Sequence, residues 1–200
     1  MSTWRGSIVA VAMVAATTMA APAAAQFSDA YKFIKAVKDK DLNGANKLLT
    51  GGNSTIVNVR DSATGDTALG MVVRRRDMDW IRFLYFKGAD VNLTGTDGST
   101  PLLLAATQGY TEAVEMLLEM KARPDIKNRQ GETALIKAVQ ARDLASVKAL
   151  LEAGANPDQT DNTGVSARTY AVADARGGPV ARLLKDLPAG RTAPVQGPSL

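Results

Sequence analysis

The sequence predicts an all-α solenoid: about five helix-turn-helix units stacked in a row and joined by short β-turns or hairpins. Three observations carry that prediction. Gly65, Gly98, Gly131 and Gly164 recur every 33 residues. Thr67, Thr100, Thr133 and Ser166 follow them by two residues, each where a side-chain oxygen can cap a helix N-terminus. Apolar residues then keep the same columns. Val72, Ala105, Ala138 and Ala171 form one, Val73, Ala106, Val139 and Val172 a second, and Ile81, Val114, Val147 and Val180 a third. Leu84, Leu117, Leu150 and Leu183 are identical, and Tyr85, Leu118, Leu151 and Leu184 follow them. Agreement across so many columns marks an array of one repeated unit.

Composition bounds the chemistry. The 200 residues contain no cysteine and no histidine. Disulfides, thiol nucleophiles and thiolate metal sites are therefore excluded. So are the usual general base near neutral pH and the commonest transition-metal ligand. The net charge of +4 is modest and spread along the chain. It gives no basic face for nucleic acid and mainly supports solubility. No cofactor is expected.

Taken in order, residues 1–25 have the form of a secretory signal. Arg5 supplies the charge, Ile8 to Ala16 an uncharged apolar run, and Pro22-Ala23-Ala24-Ala25 small residues for cleavage after Ala25. The mature chain would begin at Gln26 and, in a Gram-negative cell, would be periplasmic. The alternative is an uncleaved anchor, but the apolar run falls short of the about 20 residues that cross a membrane. No stable membrane insertion is expected after cleavage. Residues 26–187 form the repeat domain, in units of about 27–60, 61–94, 95–127, 128–160 and 161–187. Two helical segments open it, followed by a loop at Gly51 to Ser54. Thr100-Pro101 places proline at the first position of a helix, where no N–H is needed. Val114, Leu117 and Leu118 share one face of the second helix of that unit, at i, i+3 and i+4. The last unit carries Arg168 and an extra Gly177-Gly178-Pro179 turn, and residues 188–200 read as a flexible tail.

These units resemble ankyrin repeats. Gly98-x-Thr100-Pro101-Leu102, Gly131-x-Thr133-Ala134-Leu135, Gly88-Ala89-Asp90-Val91-Asn92 and Gly154-Ala155-Asn156-Pro157-Asp158 carry the likeness. The resemblance implies a β-turn and two antiparallel helices per unit, a curved stack, and a concave face that binds another protein. The sequence departs from the family where histidine usually follows Thr-Pro-Leu: Gly70, Leu103, Ile136 and Thr169 stand there. Lys121 stands where Gly88 and Gly154 end their helices, and a left-handed conformation there would cost about 1 kcal/mol.

No catalytic constellation is present. Asp77 and Asp79 flank the start of a second helix, where negative charge is favourable. Gly51-Gly52 and Gly177-Gly178 lack the lysine and strand context of a phosphate loop, and Asp90-Val91-Asn92 lacks the remaining ligands of a calcium loop. Trp80 reads as packing. The candidate protein-binding residues are instead Arg74, Arg75, Thr107, Gln108 and Gln140 at first-helix ends, with Asp66, Thr96, Asp97, Ser99, Arg129, Gln130 and Glu132 on the hairpins. Arg74-Arg75-Arg76 has two readings: the basic end of a groove for an acidic segment, or a solvated helix end complementing the dipole. The expectation is a monomeric, exported, non-enzymatic protein that binds another protein. The alternatives are an inhibitor or immunity-type protein, an enzyme using groove carboxylates, and a membrane-surface scaffold.

Overall fold

The computed structural model describes residues 28–50, 54–174 and 178–188. The signal segment, its cleavage after Ala25, the predicted domain start and all but Pro188 of the predicted tail lie outside the described residues. Part of each of the Gly51 to Ser54 and Gly177 to Pro179 loops does too.

Ten α-helices are described: α1 (Asp29–Lys38), α2 (Leu42–Thr50), α3 (Ala68–Arg74), α4 (Met78–Phe86), α5 (Pro101–Thr107), α6 (Thr111–Glu119), α7 (Ala134–Gln140), α8 (Leu144–Glu152), α9 (Ala167–Ala173) and α10 (Pro179–Asp186). A 3-10 turn, Ser54–Asn58, follows α2. Among the described residues, extended pairing is limited to two isolated bridges, Arg60 with Thr67 and Thr160 with Ser166. The expected all-α repeat architecture is present.

Each unit is built by local chemistry. The Thr67, Thr100 and Thr133 hydroxyls and that of Ser166 accept the N–H groups of Gly70, Leu103, Ile136 and Thr169 at 3.0, 3.1, 3.3 and 3.2 Å. These caps satisfy helix donors that would otherwise be buried unpaired. Between the helices of a unit the chain turns through a left-handed residue: Arg76, Gly109 and Arg142, with φ of 56°, 57° and 58°. Lys121 adopts the left-handed conformation as well, at φ 67°.

The helices then form two layers. α1, α3, α5, α7 and α9 pack in succession as an inner row, while α6, α8 and α10 pack in succession outside. Leu84, Leu117, Leu150 and Leu184 are fully buried, as are Val72, Ala105 and Ala138 between inner helices. Small side chains in that inner column let neighbouring units approach closely. Polar bonds fix the register of the turns after the second helices. Asn58, Asn92 and Asp125 side-chain oxygens accept the N–H groups of Asp90, Arg123 and Asn156 in the next unit at 2.8, 2.8 and 3.0 Å. At the end of the array Asp158 binds the Arg168 guanidinium instead, at 2.6 and 3.2 Å. Arg168 occupies the column of the buried Leu69, Leu102 and Leu135. It also donates to the carbonyls of Leu184 and Leu187, closing the C-terminus of α10.

Leu117 has no exposed surface and belongs to α6, which packs against both α5 and α8. Leu117→Ala is expected to cost roughly 2–5 kcal/mol in a urea or guanidinium titration; a loss under about 1 kcal/mol would remove it from the core.

The hairpins predict an acid sensitivity. Asp161 is held far below its ordinary carboxylate value, first by the Thr163 hydroxyl, then by the Val165 N–H and the Tyr170 hydroxyl. The Lys38 ammonium lowers Asp61 against the opposing effect of burial. Such groups stay ionised when folded at a pH where the unfolded chain takes up protons. Their stabilisation is complete above the unfolded value of about 3.9 and is lost as pH falls towards the folded value. The urea midpoint should therefore drop between about pH 5 and pH 3, and Asp161→Asn should flatten that drop. A profile unchanged by the substitution would contradict the assignment.

Candidate functional site

The hairpins form one continuous row because each is bonded to the next. Arg129 N–H donates to the Asp97 carbonyl and Asn162 N–H to the Gln130 carbonyl, both at 3.0 Å. Thr96 donates its hydroxyl to the Thr64 carbonyl, also at 3.0 Å. This contact explains two of the recurring glycines. Gly98 and Gly131 have φ of 78° and 76°, and a Cβ on Gly131 would lie 2.7 Å from the Asn162 backbone nitrogen. The tips are thus fixed by backbone geometry, and their side chains project from a rigid edge.

Two polar clusters flank this row. In the first, Arg74 Nη2 lies 3.5 Å from Asp66 Oδ1 and 3.7 Å from Asp97 Oδ2. Burial tends to raise the Asp97 carboxyl, but the Ser99 N–H and hydroxyl, each at 2.9 Å, and the Arg74 charge hold it below its ordinary value. In the second, Glu132 accepts from Lys137 Nζ at 2.7 Å and from Asn128 Nδ2 at 2.9 Å. Against its burial, these bonds lower the Glu132 carboxyl. Lys137 also reaches the Gln140 side-chain oxygen at 3.3 Å. Between the clusters lie the exposed Thr96, Thr107, Arg129 and Gln130. Among the described residues, no hydrogen bond or ion pair engages the Arg129 guanidinium.

Two of the residues expected on this surface have other work, and a third is engaged through its backbone alone. Arg75 points away from it. Its guanidinium lies 5.1 Å from the Trp80 ring centroid, 3.2 Å from Asp77 Oδ2, and donates to the Val37 carbonyl at the end of α1. Ser99 is buried, its hydroxyl spent on the turn made by Asp97. Gln108 is half-buried, and its backbone carbonyl, not its side chain, accepts from Arg76, whose guanidinium also stacks 5.1 Å from the Tyr110 ring. The three consecutive arginines therefore serve three destinations, and only Arg74 faces the hairpin row. Lys137 is the residue that sequence reasoning passed over. Its signal was there: it interrupts the column of Met71, Leu104 and Tyr170 with a charge. Asp77 and Trp80 behave as read, the former capping α4 through the Trp80 N–H and the latter buried.

The chain matches the family model for ankyrin repeats (three copies) over residues 33–128 and 71–161. Among curated proteins it is similar to the putative ankyrin repeat protein FPV031 of Fowlpox virus (strain NVSL), 34% identical over 79 residues. That match covers 39% of this chain and 23% of the viral protein. It is 36% identical over 73 residues to the nuclear factor NF-kappa-B p105 subunit of Gallus gallus, covering 36% of this chain and 7% of that protein. It is 35% identical over 85 residues to the 2-5A-dependent ribonuclease of Homo sapiens, covering 42% and 11%. In each case the chain spans less than a quarter of the relative's length. With the family match running over most of the repeat columns, the chain belongs to the ankyrin-repeat family.

Proposed function

We propose that this protein is an exported, non-enzymatic ankyrin-repeat protein that binds another protein along its hairpin tips and inner-helix ends. Ankyrin repeats generally mediate protein–protein interaction. The observation that carries the reading is the row Thr96, Asp97, Arg129 and Gln130, exposed on tips that backbone bonds hold in place. A preordered edge loses little conformational freedom on binding. These are also positions where repetition leaves the residue type free. The clusters around them supply carboxylates and amides, and Arg129 itself a guanidinium with no bond among the described residues, a mixture suited to a polar protein surface. An enzymatic reading would need a carboxyl raised towards neutrality to act as an acid; Asp97 and Glu132 are both lowered. Export rests on the signal-like residues 1–25, and periplasmic delivery on that export.

Photo-crosslinking in the exporting cell tests the surface. A crosslinker at Gln130 or Thr107 is expected to give one discrete protein adduct, and one at Lys148 on the outer row none. Equal capture from Lys148, or silence at both concave positions, would sink the reading. Arg129→Glu should weaken that capture about tenfold, the size of a strong single contact, with an unchanged thermal midpoint. Arg75→Glu should act in the opposite way. Breaking a part-buried charge network costs roughly 1–3 kcal/mol, seen as a midpoint lower by several degrees, with capture retained at low temperature. The intact mass of the exported chain should correspond to a start at Gln26.

A further inference from the structure

The last unit departs from the array at the turn between its two helices. In the unit before it, α8 begins at Leu144, which packs against the core, and Asp143 caps it by accepting the Ser146 N–H at 3.1 Å. One repeat later those two positions carry Arg176 and Gly177, and α10 begins only at Pro179, in register with Ser146. The second helix starts two residues late. Beside the C-terminal ends of α7 and α9 there is a cavity of about 360 Å³.

Its walls are apolar: Val139 from α7, Ala171 and Ala173 from α9, Val180 and Ala181 from α10. Its more exposed lining includes Gln140 and an ion pair, Arg142 Nη2 to Asp174 Oδ1 at 2.8 Å. The pair neutralises itself, so an ionic ligand would gain little there. Gln140 and Ala173 also continue the exposed column of Arg74 and Thr107. The cavity therefore adjoins the C-terminal end of the proposed binding surface. A dry cavity of about 150 Å³ holds benzene, so this one accepts an indole-sized group. Apolar walls with a neutral polar mouth suit a side chain carried on a peptide backbone, whose N–H and C=O can meet Asp174 and Arg142.

We propose that this cavity receives one aromatic side chain of the protein bound on the hairpin row, with that partner's backbone crossing Gln140. The proposal rests on the protein-binding reading above. Indole titrated into the isotope-labelled full chain should give saturable shifts of the Ala171 and Val180 methyl signals. Ala173→Phe, at an exposed position, fills the cavity and should weaken indole binding at least tenfold, whereas Ala173→Ser should retain it. A crosslinker at residue 173 in the exporting cell should capture the same protein as one at residue 130. Absence of saturable shifts overturns the cavity as a site. Indole binding with an adduct from residue 130 and none from 173 overturns the partner side chain and leaves a free small aromatic as occupant. Silence at both positions removes the binding surface itself, and the partner side chain with it, whatever indole does.

Discussion

No described helix is long enough to stand alone, and that constraint organises everything else. The described helices run from seven to ten residues, below the about 12–15 at which an isolated helix is marginal in water. Each is held by burial against the unit before and the unit after. That burial depends on how closely units approach, which explains the small residues between inner helices and the glycines between hairpins. Ala105 and Ala138 let α5 and α7 meet; Gly98 and Gly131 let the hairpins bond backbone to backbone. The rigid row of tips is a consequence of the same contact. A surface suited to recognition follows from the requirement that the units stack.

The same constraint decides what the arginines do. Successive residues on a helix point about 100° apart, and Arg76 adds a left-handed turn to that divergence. Arg75 reaches back to the Val37 carbonyl of the first unit, and Arg76 forward to the Gln108 carbonyl and Tyr110 of the third. Together they tie the second unit to both neighbours. Arg142 repeats the forward reach two units further on, to Asp174. A dense basic run thus reads as an electrostatic patch only until the direction of each side chain is known. Among the described residues on the hairpin row, Arg129 is the cation left without an internal bond, although no run of charge draws attention to it.

This separates what the sequence discloses from what it hides. Fold was legible because a fixed interval is a property of the backbone, and columns such as Leu84, Leu117 and Leu150 record burial directly. Even the left-handed Lys121 followed from its place in a glycine column. The site was legible only as a set of positions. Ser99 looked exposed because its column mates are Asp66 and Glu132, yet its short hydroxyl folds back onto Asp97. Lys137 shares its column with Met71 and Leu104, yet its ammonium extends to Glu132 and Gln140. Register fixes where a Cβ sits. Whether a polar side chain turns inward or outward depends on the partners it finds, here two to five residues along the chain, which a single column does not show.

The ends of the array follow from the same physics. An internal unit covers its inner column with the next unit, but among the described residues no unit follows the fifth. Val172, in the column of the buried Val73, Ala106 and Val139, is accordingly 64% exposed. Arg168 answers the same absence differently. A leucine at that position would lie bare, whereas a guanidinium can face water while bonding Asp158 and the last carbonyls of α10. It replaces the side-chain-to-turn bond that the next unit would have supplied. The late start of α10 belongs to this same unit. Relief from the spacing constraint is therefore what distinguishes the final unit, and it is there that the array departs far enough from its pattern to hold a cavity.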